Sequence, residues 1–313
     1  MEVLTSVDAA RIEALCAADE FFWLDLHSPP HDDIERLGEL LGFHPAAIED
    51  TREWDQLPKV DVYGDHLLLV FFTAETLDPR SEPREVHVYL SGSWLVTVRR
   101  CASPLDALYG PMRAADPGEE EEDHRVYRVL DALADGWDPV VDALDARVDE
   151  LEVEVLDRPR REHPRAIYWL KQEVQDMLRH AARQANVMPE AVEAMHRLPG
   201  LTHGSREWLR DVTTHCESIA SDLHRISGDL SSLTDTYFNA NANRLNRLVT
   251  YVSVGSVFFL LWTLVTGFFG QNFGWLVKHI DTKEAFIGYE LGALVIPTLV
   301  LALVLWRRRR DWL

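Results

Sequence analysis

Leu248 to Gln271 reads LVTYVSVGSVFFLLWTLVTGFFGQ, and Asn272 and Phe273 follow it directly. From Leu248 to Phe269 no charged residue occurs in 22 positions. At a helical rise of ~1.5 Å per residue this length covers ~33 Å, enough for a bilayer core of ~30 Å. A core helix of a soluble protein rarely stays uncharged for so long, so the stretch reads as a transmembrane helix.

One side of that helix is not greasy. Asn239, Asn243, Asn246, Thr250, Ser253, Leu260 and Gly267 recur at steps of three, four or seven and share a face. Amides and hydroxyls at membrane depth need partners, which turns the face toward other helices or water. Two readings fit equally: a small-residue packing surface between helices, or the lining of an aqueous path.

A second apolar segment spans Ala285 to Trp306, interrupted by Glu290, and Arg307 to Arg310 follow it. Four arginines beside a span mark the cytoplasmic side, and Arg244 and Arg247 before the first span agree. Two spans return the chain to its starting side, which puts both termini in the cytoplasm and 270–284 in a short external loop. The N-terminus, MEVLTSVDAARIEALCAADE, has neither a basic nor an apolar signal region. The expected location is a cell (inner) membrane.

The chain of 313 residues carries 52 acidic against 31 basic residues, a net of -21. Before Leu248 the balance is 48 acidic to 25 basic, a net of -23. Such a domain repels nucleic acid and attracts cations. Cys16, Cys101 and Cys216 have no paired spacing, so neither a disulfide framework nor a zinc motif is indicated. Phosphate-loop, zincin and hydrolase-elbow patterns are absent, and His196 with His203, or His215 with Cys216, match no tetrahedral ligand spacing, so these histidines read as ordinary ones and the chain as no enzyme.

Taken in order, Phe21 to Leu26 (FFWLDL) reads as a half-buried strand, and Asp32 to Leu41 as a helix stopped by Gly42. Asp61 to Tyr63 and His66 to Phe72 read as strands around Gly64-Asp65, and Val86 to Leu90 with Trp94 to Arg99 as a hairpin across Ser91-Gly92-Ser93. Residues 1–123 therefore read as a mixed α+β domain. No strand-like run follows. Val126 to Leu156 is an acid-loaded helical pattern ended near Pro159, and a second helix runs from about Pro164 to Met188, with Pro189 as punctuation, so 124–204 reads as an acidic helical hairpin. From Ser205 to Phe269 no proline occurs, and Trp208, Val212, His215, Ile219, Leu223, Ile226, Leu230, Leu233 and Tyr237 step by three or four. Residues 205–269 read as one stalk helix that becomes the first span, followed by the 270–284 loop, a second span at 285–306 and a basic tail at 307–313.

The first span ends in Gly267-Phe-Phe-Gly270-Gln271-Asn272, and here the chain resembles the CorA family of divalent cation channels, whose hallmark is a Gly-Met-Asn turn at that place. Further matches are Trp23-Leu-Asp-Leu26, Phe43-His-Pro45 through Ile48-Glu-Asp50, Pro58-Lys-Val60 and the run Ala132 to Pro159, so the resemblance covers almost the whole chain. It implies a homopentamer in a lipid bilayer that carries Mg2+, with Co2+ and Ni2+ as further cargo. It implies a pore entrance of Gly270, Gln271 and Asn272, and a lining of Asn246, Leu260 and Gly267, joined along the same face by Thr250, Ser253 and Thr263. It also implies a regulatory cation, Mg2+ again, held between Asp50 of one subunit and Asp211 of its neighbour.

Gln271 stands where the family's commonest pattern has Met. The loop GWLVKHIDTKEAF lacks the Met-Pro-Glu stretch of magnesium members but keeps Asp281 and Glu284. A zinc transporter of the ZntB type, handling Zn2+, is therefore the alternative reading, and a membrane-anchored cation sensor or scaffold without transport is the second.

Overall fold

The computed structural model describes residues 2–74, 82–100, 102–114, 122–199, 206–271 and 274–312. They form two compact units, Met1–Tyr237 and Phe238–Leu313.

The first unit is built on a six-stranded mixed sheet in the order β1-β2-β6-β5-β4-β3, from β1 (Glu2–Leu4), β2 (Phe22–His27), β3 (Lys59–Tyr63), β4 (His66–Thr73), β5 (Arg84–Ser91) and β6 (Trp94–Arg99). β3 with β4 and β5 with β6 form the two expected hairpins, which the antiparallel pairing of β4 with β5 joins into a meander, and Gly64 supplies the left-handed turn residue at φ +75°. β2 departs from expectation. Rather than half-buried, Phe22, Trp23, Leu24, Asp25 and Leu26 are all buried, because β2 pairs in parallel with both β1 and β6 and lies inside the sheet. The one acid in that run, Asp25, is neutralised by Arg99 across the pairing, with Nη2 at 2.9 Å from Oδ2, and accepts hydrogen bonds from Thr97 and Tyr109.

Four helices flank these strands: α1 (Ala9–Ala18), α2 (His31–Leu41), α3 (Pro45–Glu53) and α4 (Tyr109–Ala114). Gly42 ends α2 at φ +73°, donating its N–H to the Gly38 carbonyl. Next come α5 (Glu122–Asp135), α6 (Asp138–Asp157) and α7 (His163–Met195). The acidic pattern from Val126 is thus two helices, not one. At Gly136 a Cβ would meet Thr73 Oγ1 at 2.4 Å and the Ala74 carbonyl at 2.6 Å, so the chain passes against β4 where only glycine fits. Trp137 then turns fully inward and donates its Nε1–H to the Phe72 carbonyl at 2.9 Å. Pro189 does not punctuate α7 but lies within it, because buried Met188, Ala191, Ala194 and Met195 hold the apolar face in place on both sides of the proline.

α8 runs without interruption from Arg206 to Phe269, 64 residues. Its Leu209, Val212, Cys216, Ile219, Leu223, Ile226, Leu230, Leu233 and Tyr237 are buried in the first unit. In the second unit α8 is followed by α9 (Gly274–His279), α10 (Lys283–Phe286), a π-helical turn at Ile287–Leu291 and α11 (Gly292–Trp312). Arg206–Phe269 and Lys283–Arg307 are long and apolar enough to cross a membrane. Trp262 Nε1 donates to Thr298 Oγ1 at 3.0 Å and ties the two together. Cys16 and Cys216 are free thiols, whereas Cys101 lies outside the described residues.

Candidate functional site

The polar face of α8 begins with Asn246 and continues through Thr250, Ser253, Leu260, Thr263 and Gly267. All are exposed apart from half-buried Thr250, and Leu260 is 75% accessible. Thr250 Oγ1 donates to the Asn246 carbonyl at 2.8 Å, and Thr263 Oγ1 to the Phe259 carbonyl at 2.7 Å. Each hydroxyl thus spends its proton inside the helix and keeps oxygen lone pairs for what lies outside. A Cβ on Gly267 would meet nothing within 4 Å, so packing within the chain does not demand this glycine. The helix closes with Gly270 N–H donating to the Thr266 carbonyl at 2.9 Å and Gln271 N–H to the Phe268 carbonyl at 3.3 Å. Gln271 is exposed, and Asn272 lies outside the described residues.

Asp50 is carried by α3, which starts with His44 Nδ1 accepting from the Ala46 N–H and Pro45 in the first turn. Thr51, on the buried side, bonds Tyr89 Oη at 2.6 Å and His87 Nδ1 at 2.7 Å and fixes the helix's rotation on the sheet. Asp50 then faces β3, where Lys59 Nζ sits 2.7 Å from its Oδ2 and 3.2 Å from Asp61 Oδ2. Burial works against the Lys59 charge, but the hydrogen bonds to Asp50 and Asp61 prevail and raise its pKa. Asp50 therefore already has a cation from its own chain. Just beyond α3, Trp54 (φ 57°) and Asp55 (φ 54°) are two successive left-handed residues without glycine, a strained exit.

Asp211 is an exposed residue of α8, 3.4 Å from the Tyr127 hydroxyl on α5. Among the described residues neither Asp50 nor Asp211 bonds to the other. One turn beyond Asp211 on α8, His215 joins Asp131 and Asp135 of α5 in a group whose ligand atoms lie within 4.8 Å of one another. His215 Nε2 is also 3.0 Å from Asp138 Oδ1. Burial raises the pKa of Asp131 and of Asp135, and Asp131 further raises that of Asp135. Burial and the nearby Asp131 push the Tyr127 hydroxyl up to about 12. Two carboxylates and an imidazole within one small sphere can hold a divalent cation. His215, read from sequence as an ordinary histidine, thus stands in a candidate cation cluster. The legible signals were Asp131-xxx-Asp135 and Asp211-xxx-His215, each pair on one helical face; their meeting was not.

The family described as CorA-like Mg2+ transporter protein matches residues 18–309. The cobalt/magnesium transport protein CorA of Thermotoga maritima is 23% identical over 294 residues, 90% of this chain and 80% of that protein. The zinc transport protein ZntB of Yersinia pseudotuberculosis is 22% identical over 313 residues, 97% and 92% of the two chains. Among solved structures, the CorA magnesium transporter of Methanocaldococcus jannaschii shares the fold with a TM-score of 0.72 at 16% identity, covering 91% of this chain and 90% of that one. With the family matched over residues 18–309, and with a sheet domain followed by one long helix that is itself the first of two membrane-length apolar helices, the chain belongs to the CorA family of divalent cation transporters and is not an enzyme.

Proposed function

We propose that the chain assembles as a homopentamer in the inner membrane, with both termini cytoplasmic, and conducts Mg2+ through a pore lined by Asn246, Thr250, Ser253, Leu260, Thr263 and Gly267. The observation that carries this reading is the polar face of α8, where Thr250 and Thr263 donate their hydroxyl protons to carbonyls of the helix and keep oxygen lone pairs free to accept. A ring of neutral oxygens can hold a hydrated Mg2+ through its waters, which that ion gives up reluctantly. Gly270, Gln271 and Asn272 form the entrance, and Leu260 supplies a greasy constriction that is hard to wet when closed. Asp50 and the neighbouring subunit's copy of Asp211 hold a regulatory Mg2+ that favours the closed state.

A zinc reading competes with it for a specific reason. The Asp131, Asp135 and His215 group contains a nitrogen ligand, which suits Zn2+, Co2+ and Ni2+ better than Mg2+. ZntB relatives cover nearly the whole chain. Uptake of Mg2+, Zn2+, Co2+ and Ni2+ into liposomes holding the purified protein, with and without a pH gradient, tests both. Mg2+ uptake with little Zn2+ uptake supports the first reading, the reverse ranking the second, and no uptake of any ion leaves a cation-binding scaffold.

A further inference from the structure

The turn between α6 and α7 reverses the charge of the acidic helix α6 that leads into it. Residues 158–165 read RPRREHPR, with Arg158, Arg160, Arg161 and Arg165 against Glu162 alone, inside a region that is otherwise strongly acidic. All four arginines are exposed. Local structure accounts for two of them. Arg158 sits at the C-terminus of α6, where the helix dipole favours positive charge, and Arg160 pairs with Glu162 at 3.4 Å. Arg161 and Arg165 flank the start of α7, where the dipole opposes positive charge, and neither has an ion pair among the described residues.

Apolar groups stand beside this basic tip. Val153 and Leu156 on α6 are 60% and 58% accessible, and Tyr168 and Trp169 on α7 are 54% and 59% accessible. The two rings pack edge to face, 5.4 Å apart. The start of α7 is fastened to α8 by the His163 ring, 6.4 Å from Tyr237, and by Lys171 Nζ donating to Ser231 Oγ at 2.9 Å. In sequence Leu248 opens the charge-free stretch eleven positions after Tyr237, with Arg244 and Arg247 between them.

We propose that the α6–α7 tip docks on the anionic headgroups of the membrane that this chain crosses. Arg161 and Arg165 pair with lipid phosphates, while Trp169 and Leu156 enter the interfacial zone that aromatic and apolar side chains favour. Charge selects this occupant: the tip is the positive exception on an acidic unit, and an anionic leaflet is its complement. A bare ionic tip would not also expose Trp169 and Leu156, and a bare apolar one would not gather four arginines. The inference rests on the membrane reading above.

The full chain is reconstituted in vesicles of phosphatidylcholine alone and of phosphatidylcholine with phosphatidylglycerol, both brominated in the acyl chains. The fluorescence difference between the parent and Trp169→Phe isolates the Trp169 signal, and the difference with Trp262→Phe gives the reference for a residue in the span. Trp169 is expected to be quenched in the anionic vesicles only. That quenching should be lost in Arg161→Glu with Arg165→Glu and at high salt, and kept in Arg161→Lys with Arg165→Lys. A Trp169 that brominated lipid does not reach, or reaches equally in both compositions, overturns the proposal. If it is unreached by lipid and also shielded from aqueous acrylamide, a second copy of the chain covers the tip instead. An unquenched Trp262 overturns the membrane reading and this inference together, whereas normal Trp262 quenching with a Trp169 that lipid does not reach, or reaches equally in both compositions, overturns the inference alone.

Discussion

β4 and the middle of the first span are nearly the same kind of sequence: His66–Thr73 reads HLLLVFFT, and the stretch from Val257 reads VFFLLWTLV. Their fates differ. Every residue of β4 is buried, and Phe71 is 0% accessible, whereas Phe259 is 70% and Leu260 75% accessible. Apolarity only demands removal from water; it does not say into what. β4 finds its partner in the chain's own core, between β3 and β5 and beneath α5 and α7. The span has length but, apart from Trp262 bonded to Thr298, leaves most of its apolar side chains uncovered by the chain, so its solvent must be lipid or other copies of itself.

The sharpest way to break that contrast is to truncate one phenylalanine in each. Phe71→Ala should destabilise the first unit by ~3–5 kcal/mol, because a filled site becomes a cavity. Phe259→Ala should move it by no more than ~0.5 kcal/mol. Denaturant unfolding of the detergent-solubilised chain, followed by the circular dichroism of the sheet domain, measures both. Equal losses would mean that the span is packed within the monomer after all.

The next largest effect concerns transport. Asn272→Ala should cut flux by about tenfold or more, the equivalent of ~1.4 kcal/mol or above, while the assembly stays folded, because an amide that meets hydrated cation is not a packing element. Vesicle uptake checks it, and parental rates with the parental ion ranking would remove the entrance ring from the account.

How much of this was legible follows the same division. The span announced itself because absence of charge over 22 positions is a local property of the sequence, and the meander from Lys59 to Arg99 because hairpins join neighbours. β2 reads as only half-buried from its alternation, since nothing near FFWLDL tells that β6, 72 residues later, will pair with it in parallel. Gly136 was invisible for a related reason: its necessity comes from Thr73 and Ala74. At the candidate cation sites, Asp50 stands out in the sequence only through family resemblance, and nothing in Pro58-Lys-Val60 tells that Lys59, nine residues away, will be its partner. The meeting of Asp131, Asp135 and His215 is tertiary and had no signature beyond two i, i+4 pairs.

Lys59 supplies the third test. If Asp50 takes part in the regulatory site, Mg2+ must displace an ammonium that already sits 2.7 Å away. Lys59→Met should lower the Mg2+ concentration that protects the two units from proteolysis by a few-fold, and Asp50→Asn with Asp211→Asn should raise it or abolish the protection. Unchanged protection in both variants would mean that Asp50 serves only its own lysine.

The smallest effect separates the acidic helices from the sheet most finely. Asp131 and Asp135 have folded pKa values raised by burial, and in Asp135 by Asp131 as well. A raised carboxyl favours folding fully only below its unfolded pKa, and that contribution is lost as pH rises through the folded value. At neutral pH the metal-free unit therefore carries a repulsion that it lacks in acid. Asp135 is largely exposed, so solvent and salt screen much of this. Asp135→Asn should raise the thermal midpoint slightly in the presence of a chelator, within ~0.5 kcal/mol, at pH 7 and not at pH 3.5. The same substitution should shrink the rise in midpoint that Zn2+ gives, because one of three ligands is gone and bound ligand stabilises only the state that holds it. A lower midpoint in chelator at pH 7, or an undiminished Zn2+ shift, would make the three residues an ordinary solvated cluster, held together by His215 and its aspartate neighbours without a cation.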